Sequence, residues 1–181
     1  MTSDLYVDPS QAIRRLTNAD APALAEIAAR PFAETFGSLY PAQDLDDYLA
    51  TNCMPQVCAR LLNEPGSAAW FASVDDSSPV GFVVVGSCKL PVQDLEPTAG
   101  ELRQLYVRAE FRNFHFGSRL LETALAWLES RQRTPLYVGV WSENFAAQRL
   151  YARYGFEKAG EHSFRVGKTV DRDLILRRAR P

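Results

Sequence analysis

The run from Glu101 to Phe156 constrains the fold more than any other part of the chain. It begins with a strand-like segment, ELRQLYV, at Glu101–Val107. Between Gly117 and Ser130, Leu120, Leu121, Ala124, Leu125 and Leu128 fall on one helix face. LYVGVW at Leu136–Trp141 is again strand-like, and a shorter helix over Glu143–Tyr154 stops at Gly155, a typical C-terminal glycine. Helices with one apolar stripe, set between strands, have to be layered on a sheet.

The flanking segments fit the same architecture. Ala12–Leu16 reads as a first strand, and Thr17, Asn18 and Asp20 offer capping side chains to a helix carrying Leu24, Ile27 and Ala28. Pro31 should end or bend that helix. A second helical stretch starts near Asp44, with Leu45, Tyr48 and Leu49 on its apolar face; Val57, Leu61 and Leu62 continue it beyond a break at Pro55. Ala68–Val74 and Val80–Val85 flank the turn-forming DDSSP and read as an antiparallel hairpin. Pro91–Gly100 reads as a loop, and strands near Phe156–Ala159 and Thr169–Leu176 end the chain. The fold class is a mixed α/β (α+β) sheet with helices on it, and 181 residues suit one domain spanning 1–181.

Composition removes several function classes. A net charge of -2 argues against nucleic acid as the main partner. No segment approaches the roughly 18–20 apolar residues of a membrane span. MTSDLYVDPSQ lacks the basic start and apolar run of a signal peptide, so the expected compartment is the cytoplasm. Cys53, Cys58 and Cys88 form no C-x-x-C pair, and His115 and His162 are too few and too far apart for a metal centre, so no metal is expected.

Chemistry concentrates at two motifs. Arg112-Asn113-Phe114-His115-Phe116-Gly117-Ser118 links the strand ending at Val107 to the strong helix. Backbone N–H groups at a helix start have no intrahelical partner, and with the helix dipole they suit a phosphate. Gly117 would let a ligand approach closely, and Arg112 and Arg119 could add charge-assisted contacts. In the second motif, Asn144, Ala147 and Tyr151 share one helix face. Taken alone, that spacing also fits ordinary packing with Tyr151 half-buried.

Together, in this order, the two motifs resemble the GCN5-related N-acetyltransferase superfamily, from about Gly81 to Leu176. The pattern N-x-x-A-x-x-x-Y-x-x-x-G-F is complete at Asn144, Ala147, Tyr151, Gly155 and Phe156. The turn pattern Q/R-x-x-G-x-G/A keeps Arg112 and Gly117, but His115 stands at its first glycine. VWSENFAAQRLYARYGF, SFRVGKTVDRDLIL and AETFGSLYPAQDLDDYL look like the PaiA-type polyamine acetyltransferases.

The resemblance implies a mostly antiparallel sheet of about six to seven strands with about four helices and a splay between the fourth and fifth strands. It implies acetyl-CoA as co-substrate. Leu105, Tyr106 and Val107 would bond the pantetheine arm, residues Asn113–Ser118 would wrap the pyrophosphate, and Asn144 would contact the cofactor. Tyr151 would be the general acid near the sulfur, and a strand N–H such as that of Val107 would stabilise the carbonyl oxygen. Glu101 is the candidate base, equally readable as a solvated carboxylate at a strand end. Glu143 sits at a helix start, where a carboxylate is favoured anyway, and the fifth-strand glutamate of some members is here Gly139. His115 reads either as a nucleotide contact or as a solvent-facing replacement.

The acceptor is expected to be a small-molecule primary amine such as a polyamine. Glu34, Tyr40, Asp44, Asp46 and Asp47 could attract a cation, although the three aspartates also suit a helix start. Arg177, Arg178 and Arg180 read as a solvated end. A protein N-terminus or lysine as acceptor, and a non-catalytic acyl-CoA-binding module, are the alternatives. Family habit allows a homodimer, and neither nucleic acid nor membrane is an expected partner.

Overall fold

In a computed structural model, which describes residues 13–37, 40–74 and 78–179, the two most apolar segments become neighbouring strands buried on both faces. These are β2 (Ala68–Ala72) and β3 (Gly81–Ser87), paired antiparallel. Side chains alternate across a strand, so Ala68, Trp70, Ala72, Val83 and Val85 enter one core while Ala69, Phe71, Phe82 and Val84 enter another. Both faces are dry, which is why the two segments read as continuous apolar runs.

The first core is covered by α4 (Phe116–Ser130), through the buried Leu120, Leu121, Ala124, Leu125 and Leu128, and by Tyr151 of α5 (Phe145–Arg153). The second is covered by α1 (Ala21–Phe36) and α3 (Pro55–Asn63), through Leu24, Ile27 and Cys58. The α2 helix (Ala42–Asn52) lies between these two in sequence, and Pro55 opens α3 at its first turn. Among the described residues α1, α2, α3, α4 and α5 are five helices, in keeping with the about four expected. The α1 helix runs through Pro31 to Phe36 instead of ending at the proline. One lost backbone bond there is outweighed by Leu24, Ala25 and Ile27 packing on Leu16, Phe71 and Phe82.

The seven strands stand in the order β1-β2-β3-β4-β5-β7-β6, with β1 at Ile13–Arg15 and β4 at Gly100–Val107. β5 is Leu136–Trp141, β6 is Glu157–Val166 and β7 is Thr169–Arg178. β6 continues seven residues past the expected end at Ala159, because it pairs with β7 up to the Gly167 turn. Ala12, most of the DDSSP turn and Arg180 lie outside the described residues. Arg178 is not a free end: it donates to Glu129 at 2.6 Å. Among the described residues no helix is long and apolar enough to cross a membrane.

The centre of the sheet takes its shape from β4. Its register against β3 slips by one residue: Leu102 faces Val85 while Gln104 faces Val84, so Arg103 is a bulge. The slip turns the next residues over, and Leu105 and Val107 pack on the same core as Leu102. The Arg103 guanidinium lies across Gly86, where an added Cβ would fall 2.6 Å from its Cζ. It donates to both oxygens of Glu64 at 2.9 Å, to the Ser87 carbonyl at 2.8 Å and to Ser67 Oγ at 3.2 Å.

The Arg103 bonds, helped by one from Lys89 Nζ at 2.8 Å, lower the Glu64 carboxyl to about 2 from its ordinary 4.5. A depressed folded-state value stabilises the native state above the unfolded value and loses that contribution as pH falls. Glu64→Gln is expected to cost about 1–3 kcal/mol in urea unfolding at neutral pH. The wild-type advantage should persist down to about pH 4.5 and vanish as pH falls through about 2. A constant gap between the two proteins over that range would contradict the assignment.

Candidate active site

β4 and β5 run parallel, but they pair only over Gly100–Leu102 against Leu136–Val138. Pairing stops at the residue before the Arg103 bulge, while β4 continues to Val107 and β5 to Trp141. The strands therefore splay, and Leu105, Tyr106 and Val107 line a cleft of about 540 Å³. An extended chain could add to the backbone of β4 there as another strand does.

The far end of this cleft is the turn into α4. A 3-10 helix, Ala109–Phe114, leads to His115, whose φ of +61° is left-handed. That explains why glycine suits this position: the backbone, rather than the side-chain space, makes the demand. No side chain caps α4, so its first N–H groups are available at the cleft beside Gly117 and Ser118. A Cβ on Gly117 would meet protein atoms no closer than 3.8 Å. The protein's own packing does not require glycine there, whereas a closely held pyrophosphate would.

Of the expected cofactor residues, Leu105, Tyr106, Val107, Arg112, Asn113, His115, Gly117, Ser118 and Asn144 all line this cleft. Phe116 instead sends its ring into the core, and the Phe114 ring is exposed. Asn144 caps α5, its Oδ1 accepting from the Ala147 N–H at 3.1 Å. This leaves its amide nitrogen for the cleft. Glu143 also lines the cleft.

A second chamber, of about 310 Å³, opens on the other side of the splay. Leu105, Tyr106, Trp141, Asn144, Ala147 and Tyr151 line both spaces, so the two communicate at Tyr151. The Tyr151 ring is buried, edge-on to Phe156, and burial pushes its phenol well above the ordinary range. The chamber carries the rings of Tyr48 and Phe164, edge-on to one another, and two carboxylates, Asp171 and Asp173. Tyr40 donates to Asp171. Burial raises the Asp173 carboxyl, the nearby His162 opposes that shift, and Asp171 adds to it.

The acidic residues singled out in the sequence fall elsewhere. Glu101 is 8% exposed and lines neither cleft; its Oε2 accepts from the Lys89 N–H at 2.7 Å. Asp44 accepts from the Lys168 N–H at 3.1 Å at the β6–β7 turn, and Asp47 accepts from Gln43 in its own helix. Glu34 accepts from the Tyr106 hydroxyl at 2.8 Å, at the chamber's edge. Asp171 and Asp173 were not among the sequence candidates; their only local signal is two acids alternating along a strand, DRD. Among the described residues no group of His, Cys, Asp and Glu could hold a metal ion.

Comparison with known proteins agrees with this geometry. A family model described as "Acetyltransferase (GNAT) family" matches residues 21–156. An uncharacterized N-acetyltransferase of Lactobacillus delbrueckii subsp. lactis is 28% identical over 172 residues, covering 92% of this chain and 96% of that protein. The fold matches the PaiA N-acetyltransferase of Thermoplasma acidophilum, solved with coenzyme A, at a TM-score of 0.74 and 18% identity, over 93% of this chain and 98% of that one. A Bacillus anthracis protein described as a putative streptothricin acetyltransferase, solved with acetyl coenzyme A, matches at a TM-score of 0.55 and 16% identity, over 67% of each chain. The chain belongs to the GNAT acetyltransferase family and is an N-acetyltransferase whose co-substrate is acetyl-CoA.

Proposed function

We propose that the acceptor is the primary amine of a small cationic molecule, a polyamine being the simplest fit. The observation that carries this reading is the second chamber, where Asp171 and Asp173 lie among aromatic rings and meet the cofactor cleft at Tyr151. Two carboxylates in a partly dry chamber attract ammonium groups, and aromatic faces favour them further. Their spacing along β7, two residues apart, suits an acceptor with more than one positive nitrogen.

In the transfer itself, β4 orients the acyl arm through the backbone of Leu105–Val107, and the uncapped start of α4 holds the phosphates. Tyr151 serves the leaving sulfur. Burial keeps its phenol protonated, the state a donor needs. Full transfer to a thiolate of pKa about 8.5 is uphill from so weak an acid. The hydroxyl therefore works by hydrogen bonding to charge as it develops, with proton delivery completed only when the carbon–sulfur bond has broken.

Thiol release from acetyl-CoA, measured over a panel of amines, tests the acceptor. Aliphatic diamines and polyamines should exceed amino acids by at least about tenfold in kcat/KM, and the gap should narrow at high salt. Preference for amino acids, or no turnover of any amine, would overturn the reading. Tyr151→Phe should lower kcat by about 10²-fold with little change in coenzyme A affinity; an unchanged kcat would remove Tyr151 from the donor role. His115→Gly should raise stability by about 1 kcal/mol by relieving left-handed strain, where His115→Ala should not. Calorimetric coenzyme A titration of the same two variants then reads whether the imidazole contributes to the cofactor.

A further inference from the structure

We infer that Asp173 is the general base that takes the acceptor's proton, and that His162 positions its carboxylate. This rests on the reading of a cationic amine acceptor. The register places the pieces. Trp141 of β5 and His162 of β6 both stand opposite Asp173 of β7, and Phe164 stands opposite Asp171. Residues directly opposite in antiparallel strands project to the same side, so Trp141, His162, Phe164, Asp171 and Asp173 share the chamber's face of the sheet.

β5 contributes no acid on that face. Its residues there include Gly139 beside Trp141, and the space next to the glycine is taken: an added Cβ would meet Leu90 Cδ2 at 3.3 Å and His162 Nε2 at 3.6 Å. His162 thus lies in the notch that Gly139 leaves. Its Nε2 is buried, has no hydrogen-bond partner among the described residues, and sits 4.0 Å from Asp173 Oδ2. An imidazole nitrogen at that distance biases the carboxylate without sealing it in a hydrogen bond. Asp173 lines the chamber and remains open to an acceptor, whereas Glu101 is turned toward the Lys89 N–H.

The groups around Asp173 are few. His162 faces it from β6 and Asp171 from its own strand. Tyr48 faces it from α2 and Tyr40 from the segment before α2, both as phenols above their ordinary range. β5 presents the uncharged Trp141. Among them only His162 can offset negative charge, which leaves Asp173 a stronger base than an exposed carboxylate.

The step balances in atoms and in charge. An N–H bond of the ammonium breaks toward Asp173, giving a carboxylic acid and a neutral amine. The freed lone pair forms the C–N bond at the thioester carbonyl, the C–S bond breaks, and the nitrogen's second proton passes to sulfur by way of the Tyr151 hydroxyl. Asp173 then returns its proton to solvent, so one amide, one thiol and one proton are released per turnover.

The test pairs Asp173→Asn with two acceptors. An aliphatic diamine arrives protonated, whereas an arylamine arrives neutral and needs no base. With the diamine, kcat should fall by about 10²–10⁴-fold and the acid limb of the kcat–pH profile should disappear. With the arylamine, the loss should stay below about tenfold. His162→Gln should keep most of the turnover but move that acid limb to higher pH, because the neighbour that opposes the rise of the Asp173 carboxyl is gone. Equal losses with both acceptors would make Asp173 structural, and a raised KM with unchanged kcat would make it only a cation anchor; either overturns the proposal. An unmoved limb in His162→Gln would remove the positioning role. A wild-type enzyme that acetylates arylamines and no alkylamine would instead sink the acceptor reading itself.

Discussion

Arg103 carries a full charge where only 10% of its side chain reaches solvent. A buried guanidinium is costly unless its donors are met; four bonds to Glu64, Ser87 and Ser67 meet its two terminal nitrogens, while Nε has no partner among the described residues. The geometry also needs Gly86, since any side chain there would occupy the guanidinium's place. In return the bulge is fixed at one residue. The C-terminal half of β4 is turned over, Leu105 and Val107 reach the α4 core, and pairing with β5 ends at Leu102. The cleft along Leu105–Val107 is the space this leaves, so the ion pair at the α3 end shapes the candidate site.

The same splay separates two environments and joins them along a shared lining that includes Tyr151. On the α4 side, backbone N–H groups and Gly117 favour an anionic, extended ligand. On the β6–β7 side, carboxylates and aromatic rings favour a cation. Tyr151 can stand between them because α5 is short, is started by the Asn144 cap and is stopped by Gly155 at a φ of +79°. Those two end signals fix where the helix begins and hence which turn Tyr151 occupies.

Local motifs were legible because their physics is local. The Asn144 cap, the Gly155 stop, the α4 stripe and the limits of β5 all depend on residues within a few positions of each other. His115 was legible as a departure, but its left-handed φ was not, because a backbone angle is set by the 3-10 turn and helix on either side. The bulge at Arg103 could not be read from ELRQLYV, since its cause lies 39 residues away at Glu64. The second chamber was the least legible part. Asp171 and Asp173 lie beyond residue 156, where the family match ends, and reach the site only because β7 inserts between β5 and β6.

Burial does opposite chemical work at the two ends of that chamber. Removing water disfavours the charged form of any acid, so both the Tyr151 phenol and the Asp173 carboxyl are raised. In the proposed mechanism this makes the tyrosine a group that keeps its proton until a stronger demand appears at the sulfur. For aspartate it means a conjugate base with greater affinity for a proton, while His162 limits the rise so that the carboxylate can still ionise. A site proposed to take a proton from nitrogen and offer one to sulfur needs its two groups unlike in charge state, and here they also differ in exposure, Tyr151 at 5% and the Asp173 side chain at 17%. One tyrosine on α5 and one aspartate on β7 meet that condition, and the splay beyond Arg103 brings them to a common chamber.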